Sequence, residues 1–231
     1  MINLPNILTL SNLFCGCLAI LLCIAGEKQT AVYLVLLAGI FDFFDGFAAR
    51  FFKTDSKFGA ELDSLADMVT FGLFPGILFY TLISENFAGE KLICWQAVPA
   101  FLFTLCAALR LAKFNISTEQ THYFKGLATP AATLFVCGIP FIESNLAYLA
   151  FVDKFVLYFW IVALSLLMVS NLKLIAFKFK DYTFSNNVMK YVLLALSIIL
   201  LICFKLQALP TVILIYLVCS FINFKILKKA N

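Results

Sequence analysis

The sequence predicts an all-α fold, a polytopic transmembrane helical bundle of about eight spans, and three observations carry that reading. Of 231 residues, 63% are hydrophobic and 13% charged, with a mean hydropathy of +1.00. Soluble domains are about 45–50% apolar and about 25% charged, so too little polar surface exists here to coat a particle in water. Apolar stretches of near-spanning length recur eight times along the chain, each approaching the roughly 20 residues that cross a bilayer. The basic residues, finally, gather on alternate connections rather than spreading evenly.

The stretches run at roughly 7–25, 31–50, 64–83, 92–112, 128–148, 155–172, 188–204 and 208–226. The first 26 residues carry no charge, so the basic region that opens a secretory signal is missing and the N-terminus is expected to belong to the mature fold. The fifth stretch holds Pro130 and Pro140 and stops near Glu143, so a short or kinked helix is expected there. An even number of spans puts both termini on one side. With the connections 51–60, 113–127 and 173–187 and the C-terminal tail on that side, it holds 13 of the 17 Lys and Arg, leaving Lys28, Lys91, Lys154 and Lys205 opposite. The positive-inside rule makes it the cytoplasmic side. No repeat, linker or soluble appendage is visible, so residues 1–231 read as a single transmembrane domain. The eight cysteines (15, 17, 23, 94, 106, 137, 203 and 219) sit in apolar runs without a Cys-x-x-Cys pair and read as small buried hydrophobes.

One short span breaks the apolar pattern. "FDFFDGFAARFFKTDSKFGAELDSLADMV", residues 41 to 69, places Asp42, Asp45, Asp63 and Asp67 among Phe, Ala and Leu. The first two are three apart and the last two four apart, so on helices each pair shares a face. A short charged link makes the second and third helices antiparallel neighbours whose acidic faces can meet. A charged residue costs about 2.5–3.5 kcal/mol at the bilayer centre and less near its surface, and four like charges add repulsion. Hard divalent cations relieve both, since they take oxygen ligands and bridge carboxylates to phosphates. Gly39, Asp42, Gly46 and Ala49 share one face, with Gly46 and Ala49 forming a shallow strip for a bulky ligand. Gly59 opens the third helix four residues before Asp63, and Arg50 ends the strip with a cation suited to phosphate. Asp55 and Glu61 read as ordinary loop charges. From the residues alone, a metal-dependent phosphate enzyme and an intramembrane ion or proton transporter both remain open. An intramembrane prenyltransferase would need two separate Asp-rich motifs in a longer bundle, and one cluster is seen.

The pattern Asp42-x2-Asp45-Gly46-x2-Ala49-Arg50-x8-Gly59-x3-Asp63-x3-Asp67 resembles the complete signature of the CDP-alcohol phosphotransferase family. The resemblance implies a six-helix catalytic core at about residues 1–175, with additional helices at about 188–226. It also implies a homodimer and two Mg²⁺ or Mn²⁺ ions, with CMP displaced from a CDP-linked donor by an alcohol. By resemblance Asp42, Asp45 and Asp63 are metal ligands. Asp67 is the general base that also touches metal, and Gly46 and Ala49 accommodate the nucleotide.

Two further stretches bear on donor and acceptor. "LPNILTLSNLFCG" spaces Asn3, Asn6, Thr9 and Asn12 at i+3, a hydrogen-bonding stripe that reads equally as a polar helix start at the interface. It resembles the Pro-Asn-x-Leu-Thr opening of the phosphatidylserine synthase branch, which favours Asn6 and Thr9 as nucleotide or diphosphate contacts. "LRLAKFNISTEQTHYFKGLATPAAT", residues 109 to 133, brings Arg110, Lys113, Asn115 and Lys125 to the cytoplasmic edge. Any one of these cations is explained by positive-inside anchoring. An amino-acid acceptor, however, brings a carboxylate into an acidic site and needs a bidentate cation, for which Arg110 is the first choice. Lys113, Lys125 and Asn115 would support it. The stretch resembles elements of the same branch, with Lys113 in place of an Arg and Ala128 in place of a Pro. That resemblance implies transfer of phosphatidyl from CDP-diacylglycerol to L-serine, giving phosphatidylserine and CMP. Glycerol 3-phosphate or inositol phosphate is the rival acceptor within the family. Membrane lipid is the expected surrounding, a bacterial cytoplasmic membrane the expected location, and no nucleic-acid partner is expected. His122 belongs to no motif.

Overall fold

The computed structural model describes residues 3–52, 56–87, 93–116, 123–142, 153–175 and 184–225. Asp55, His122 and Glu143 lie outside the described residues. In chain order the elements are α1 (Leu4–Ile24), α2 (Lys28–Phe52), α3 (Lys57–Asp67), α4 (Phe74–Ser84), α5 (Phe101–Ile116), β1 (Tyr123–Lys125), α6 (Thr129–Gly138), α7 (Lys154–Val169), β2 (Lys173–Ile175), α8 (Phe184–Phe204) and α9 (Leu209–Lys225). Among the described residues, five helical stretches are long and apolar enough to cross a membrane: Leu4–Ile24, Lys28–Phe52, Lys57–Ser84, Trp95–Ile116 and Asn187–Phe224. Thr129–Phe141 and Lys154–Val169 are apolar but shorter. The protein is thus an all-α, multi-pass membrane protein. Its outer surface carries Leu10, Phe14, Leu21, Phe159 and Ile202, residues that suit lipid contact and would be an aggregation hazard in water. Cys17 and Cys203 lie on that exposed surface rather than buried as expected, because a lipid-facing thiol has no need of burial.

Local chemistry explains most of the helix boundaries. Asn3 caps α1 by accepting the Asn6 amide at 3.1 Å, and Pro5 follows in the first turn. Ser56 caps α3 in the same way, accepting the Gly59 amide at 3.0 Å. The third span is one run from Lys57 to Ser84, but it passes through a six-residue π-helical stretch at Met68–Leu73, directly after Asp67. Pro75 accounts for this. It has no N–H for the Phe71 carbonyl four residues back, so the ladder widens there. The freed carbonyls are taken by neighbouring helices, with Thr133 donating to the Phe71 oxygen at 2.8 Å and Thr104 to the Gly72 oxygen at 3.0 Å. The fifth apolar stretch is short, as its prolines lead one to expect, with α6 tightening into a 3-10 turn at Ile139–Phe141.

A two-stranded antiparallel ribbon was not expected. β1 and β2 pair Tyr123 with Ile175 and Lys125 with Lys173. Gly126 ends the first strand at φ +75°, and a Cβ there would lie 2.5 Å from the Met168 carbonyl oxygen, so no other residue fits without strain. The core is continuous across the bundle, built on Phe74, Phe79, Phe103 and Phe135, with Leu157, Ile161 and Ile213 packed on it. α9 packs against α6 and β2. Its approach to α6 is close enough that a Cβ on Gly138 would meet Pro210 Cδ at 2.2 Å.

Candidate active site

α1, α2 and α3 position the acidic residues. The polar stripe of α1 faces inward, with Asn6 and Thr9 buried and Asn12 fully so, at 0% exposure. Thr9 Oγ1 donates to Asp45 Oδ2 at 2.6 Å, and Asn12 Nδ2 donates to Asp67 Oδ1 at 3.3 Å. Thr70, in the π-helical stretch, donates to the Asn12 carbonyl at 3.3 Å and so ties α1 to the third span. The stripe therefore orients two of the four carboxylates.

Asp42, Asp63 and Asp67 converge, each offering a carboxylate oxygen within 4.8 Å of the others. Asp45, at 6% exposure, stands beside them on the α1 side, its carboxylate held by Thr9. Among the described residues no Lys or Arg lies within ion-pair distance of any of the four, and Lys28–Glu85 is the ion pair seen. Asp63 Oδ1 is buried with no hydrogen-bond partner. An orphaned carboxylate oxygen among two other carboxylates, without a protein cation, is a donor set that fits a hard divalent ion.

A cavity of about 230 Å³ adjoins this cluster. Asn6, Thr9, Asp45, Gly46, Ala49, Gly59 and Asp63 line it, together with Pro5, Ser56 and Ala60. Gly46 opens directly onto it, since a Cβ built there meets nothing within 4 Å. Gly59 is tighter, its virtual Cβ lying 3.3 Å from Asn6 Oδ1. Gly46→Val is accordingly expected to fold with an unchanged Tm but to weaken nucleotide binding about 10-fold or more by filling the floor of the cavity. Titration of CDP or CMP against the purified variant checks this. A second, apolar groove of about 450 Å³ runs along the outer faces of α1 and α2, between Ile7, Leu10, Phe14, Leu37 and Phe41.

The remaining expected residues fall outside the cavity lining. Arg50 is exposed, with Nε donating to the Gly46 carbonyl at 2.9 Å along its own helix. Arg110 sits on the far side of the carboxylates, within electrostatic reach of Asp67 and Tyr216. Its Nη1 donates to Thr129 Oγ1 at 2.8 Å, while Nε is buried with no hydrogen-bond partner. Lys113 Nζ donates to Asn171 Oδ1 at 3.0 Å, and Asn115 Oδ1 accepts from Ser64 at 3.0 Å, fastening the end of α5 to α3. Lys125 is exposed on β1, opposite Lys173. Sequence reasoning did not single out Ser56 or Thr129, whose roles depend on neighbours distant in sequence. Asn12 had a signal, as the last member of the i+3 stripe.

Known proteins bear on this arrangement. The chain is 33% identical to the CDP-diacylglycerol–serine O-phosphatidyltransferase of Helicobacter pylori (strain ATCC 700392 / 26695) over 221 residues, 95% of this chain and 90% of that protein. It is 35% identical to the protein of the same name from Bacillus subtilis (strain 168) over 175 residues, 76% of this chain and 91% of the relative. An archaetidylserine synthase from Methanothermobacter thermautotrophicus is 34% identical over 176 residues, 74% of this chain and 69% of the relative. The family described as CDP-alcohol phosphatidyltransferase matches residues 2–169, a range that contains the acidic cluster and every residue lining the adjoining cavity. This chain therefore belongs to the CDP-alcohol phosphatidyltransferase family.

Proposed function

We propose that the protein is a CDP-diacylglycerol–serine O-phosphatidyltransferase, joining the phosphatidyl group of CDP-diacylglycerol to the hydroxyl of L-serine and releasing CMP. The observation that carries this reading is the meeting of the Asp42, Asp63 and Asp67 carboxylates beside a polar cavity open at Gly46. The serine-directed names of the relatives support the choice of acceptor.

Asp42, Asp45, Asp63 and Asp67 are the residues that would hold two Mg²⁺ or Mn²⁺ ions. Such ions supply positive charge that offsets the carboxylates and the diphosphate and stabilises the departing CMP oxygen. The cytidine nucleotide occupies the cavity against Gly46 and Ala49, with Asn6 and Thr9 on its other wall, Gly59 at its end and Arg50 at its mouth. The acyl chains of the donor lie in the apolar groove along α1 and α2, whose residues alternate along α1 with those lining the cavity. Asp67 accepts the proton of the serine hydroxyl as its oxygen attacks phosphorus. A new P–O bond to serine forms while the P–O bond to CMP breaks. Asn12 fixes the Asp67 carboxylate for that transfer. Arg110 takes the serine carboxylate, with its buried Nε the donor still lacking a partner. Lys113, Lys125 and Asn115 line the approach of the acceptor. The distribution of Lys and Arg supports the site and both termini facing the cytoplasm, and bacterial relatives support a bacterial cytoplasmic membrane. The enzyme acts as a homodimer.

Incubating the purified protein with CDP-diacylglycerol, Mn²⁺ and a panel of radiolabelled acceptors tests the reading. L-Serine is expected to enter lipid with one CMP released per lipid formed. Incorporation of glycerol 3-phosphate or inositol phosphate, with serine left in the aqueous phase, would overturn the choice of acceptor.

A further inference from the structure

Asp63, Asp67, Phe74 and Leu78 follow one another at intervals of four, seven and four along the third span. In an uninterrupted α-helix seven residues fall about 20° short of two full turns, so these four side chains would form one stripe. Phe74 and Leu78 are fully buried in the apolar core. Asp63 and Asp67 instead converge with Asp42 of α2. The acidic half of the span is therefore turned against its apolar half somewhere between residues 67 and 74.

The π-helical stretch at Met68–Leu73 fills that interval. The Phe74 N–H donates to the Val69 carbonyl, five residues back rather than four. Such a ladder holds one residue more than the α-helix it replaces, and one residue is a turn of about 100°. Three helices grip the stretch. Thr70 donates to the Asn12 carbonyl of α1, while Thr104 of α5 and Thr133 of α6 donate to the Gly72 and Phe71 carbonyls. Thr133 Oγ1 also lies 2.9 Å from the Thr129 carbonyl, so its one proton is shared. Gly16 faces Thr70 and Gly76 faces Thr104, each so closely that a Cβ there would collide with the hydroxyl oxygen.

We propose that the extra residue of the π-helical stretch is what aims Asp63 and Asp67 at the metal site, and that Thr133 is a positioning residue holding the stretch open. The proposal rests on the four aspartates holding divalent ions. Thr133 is singled out because its target, the Phe71 carbonyl, is the one that Pro75 leaves without an α-helical donor. It touches none of the carboxylates. Without its hydroxyl the contact that favours the widened ladder is gone, and a closed ladder would swing Asp67 under Phe74, away from Asp42.

Manganese titration followed by the free-ion EPR signal, with Tm recorded in the absence of metal, tests this. Thr133→Val is expected to weaken manganese binding about tenfold, and Thr133→Ser to keep it within about twofold of wild type. Deletion of Val69 removes the extra residue without turning the two halves of the span against each other, so affinity is expected to stay within about threefold. The shortened chain has no widened ladder left to hold. Thr133→Val is expected to leave its manganese affinity unchanged, while lowering Tm in both backgrounds. Equal weakening by Thr133→Val in the two backgrounds would make Thr133 a packing residue only and overturn the proposal. A fall of more than about tenfold in a shortened chain that still melts cooperatively would overturn it too. Should the shortened chain fail to fold, the full-length pair decides: wild-type affinity in Thr133→Val, or no recovery in Thr133→Ser, overturns the proposal. Absence of manganese binding by the wild-type protein would instead defeat the metal reading, and the proposal built on it falls with it.

Discussion

Asp67→Asn is expected to lower CMP release by about 10²–10⁴-fold, the range contributed by a general base. The amide keeps the shape of the carboxylate and can still meet Asn12, which now donates to it at 3.3 Å, so the third span and the cavity should be undisturbed. What disappears is the capacity to take a proton from the serine hydroxyl. Donor binding, followed by equilibrium titration with a CDP-diacylglycerol analogue in nanodiscs, is expected to stay within a few-fold of wild type, because the cavity lining does not include Asp67. Loss of donor binding in parallel with activity would instead make Asp67 chiefly a binding group. Activity within tenfold of wild type would remove it from the chemistry altogether.

The second large effect concerns metal and has opposite signs in function and stability. Asp42→Asn or Asp63→Asn removes one of the three converging carboxylates. Manganese affinity, read from the free-ion EPR signal during titration, is expected to fall more than about 100-fold, beyond what loss of an outer contact produces. Turnover should fall with it. Without metal, the same substitutions are expected to raise Tm. Among the described residues no cation pairs with these acids, so each half-buried charge is held against its neighbours' repulsion and against partial desolvation. A site built for an absent charge is destabilising until that charge arrives, and function accounts for its retention. A metal-free Tm that drops in both variants would show that the cluster is satisfied internally.

The helical architecture and the acidic cluster were legible because each rests on local rules. Hydropathy marks a span by itself, and spacings of three and four residues fix which side chains share a face whatever the helix packs against. That is why Asp42 with Asp45, and Asp63 with Asp67, could be paired in advance. Gly46 and Ala49 could be set beside them for the same reason. Asn6 and Thr9 line the cavity, although inward and interfacial readings of their stripe were equally consistent with the spacing. Long-range packing decided the rest. The partition of the four aspartates, three together and Asp45 drawn to Thr9, depends on where α1 crosses α2. The π-helical stretch had a local cause in Pro75, but its tolerance required Thr133 and Thr104 to be waiting on other helices. The β1–β2 ribbon is three residues a side, too short for a periodicity, and is held by α9 from the far end of the chain. Arg110 was found by its charge, whereas Thr129, which accepts from it, carries no signal that distinguishes it from any polar residue at the start of an apolar helix.

The central claim is that the acidic faces of α2 and α3 jointly hold two divalent ions against the diphosphate of the donor. Anomalous scattering at the manganese edge, from crystals grown with Mn²⁺ and a CDP-diacylglycerol analogue, tests it most directly. The account predicts two manganese peaks bounded by Asp42, Asp45, Asp63 and Asp67, with the diphosphate against them and the cytidine over Gly46. Manganese found elsewhere, or the nucleotide bound with these four carboxylates turned away from it, would contradict the account.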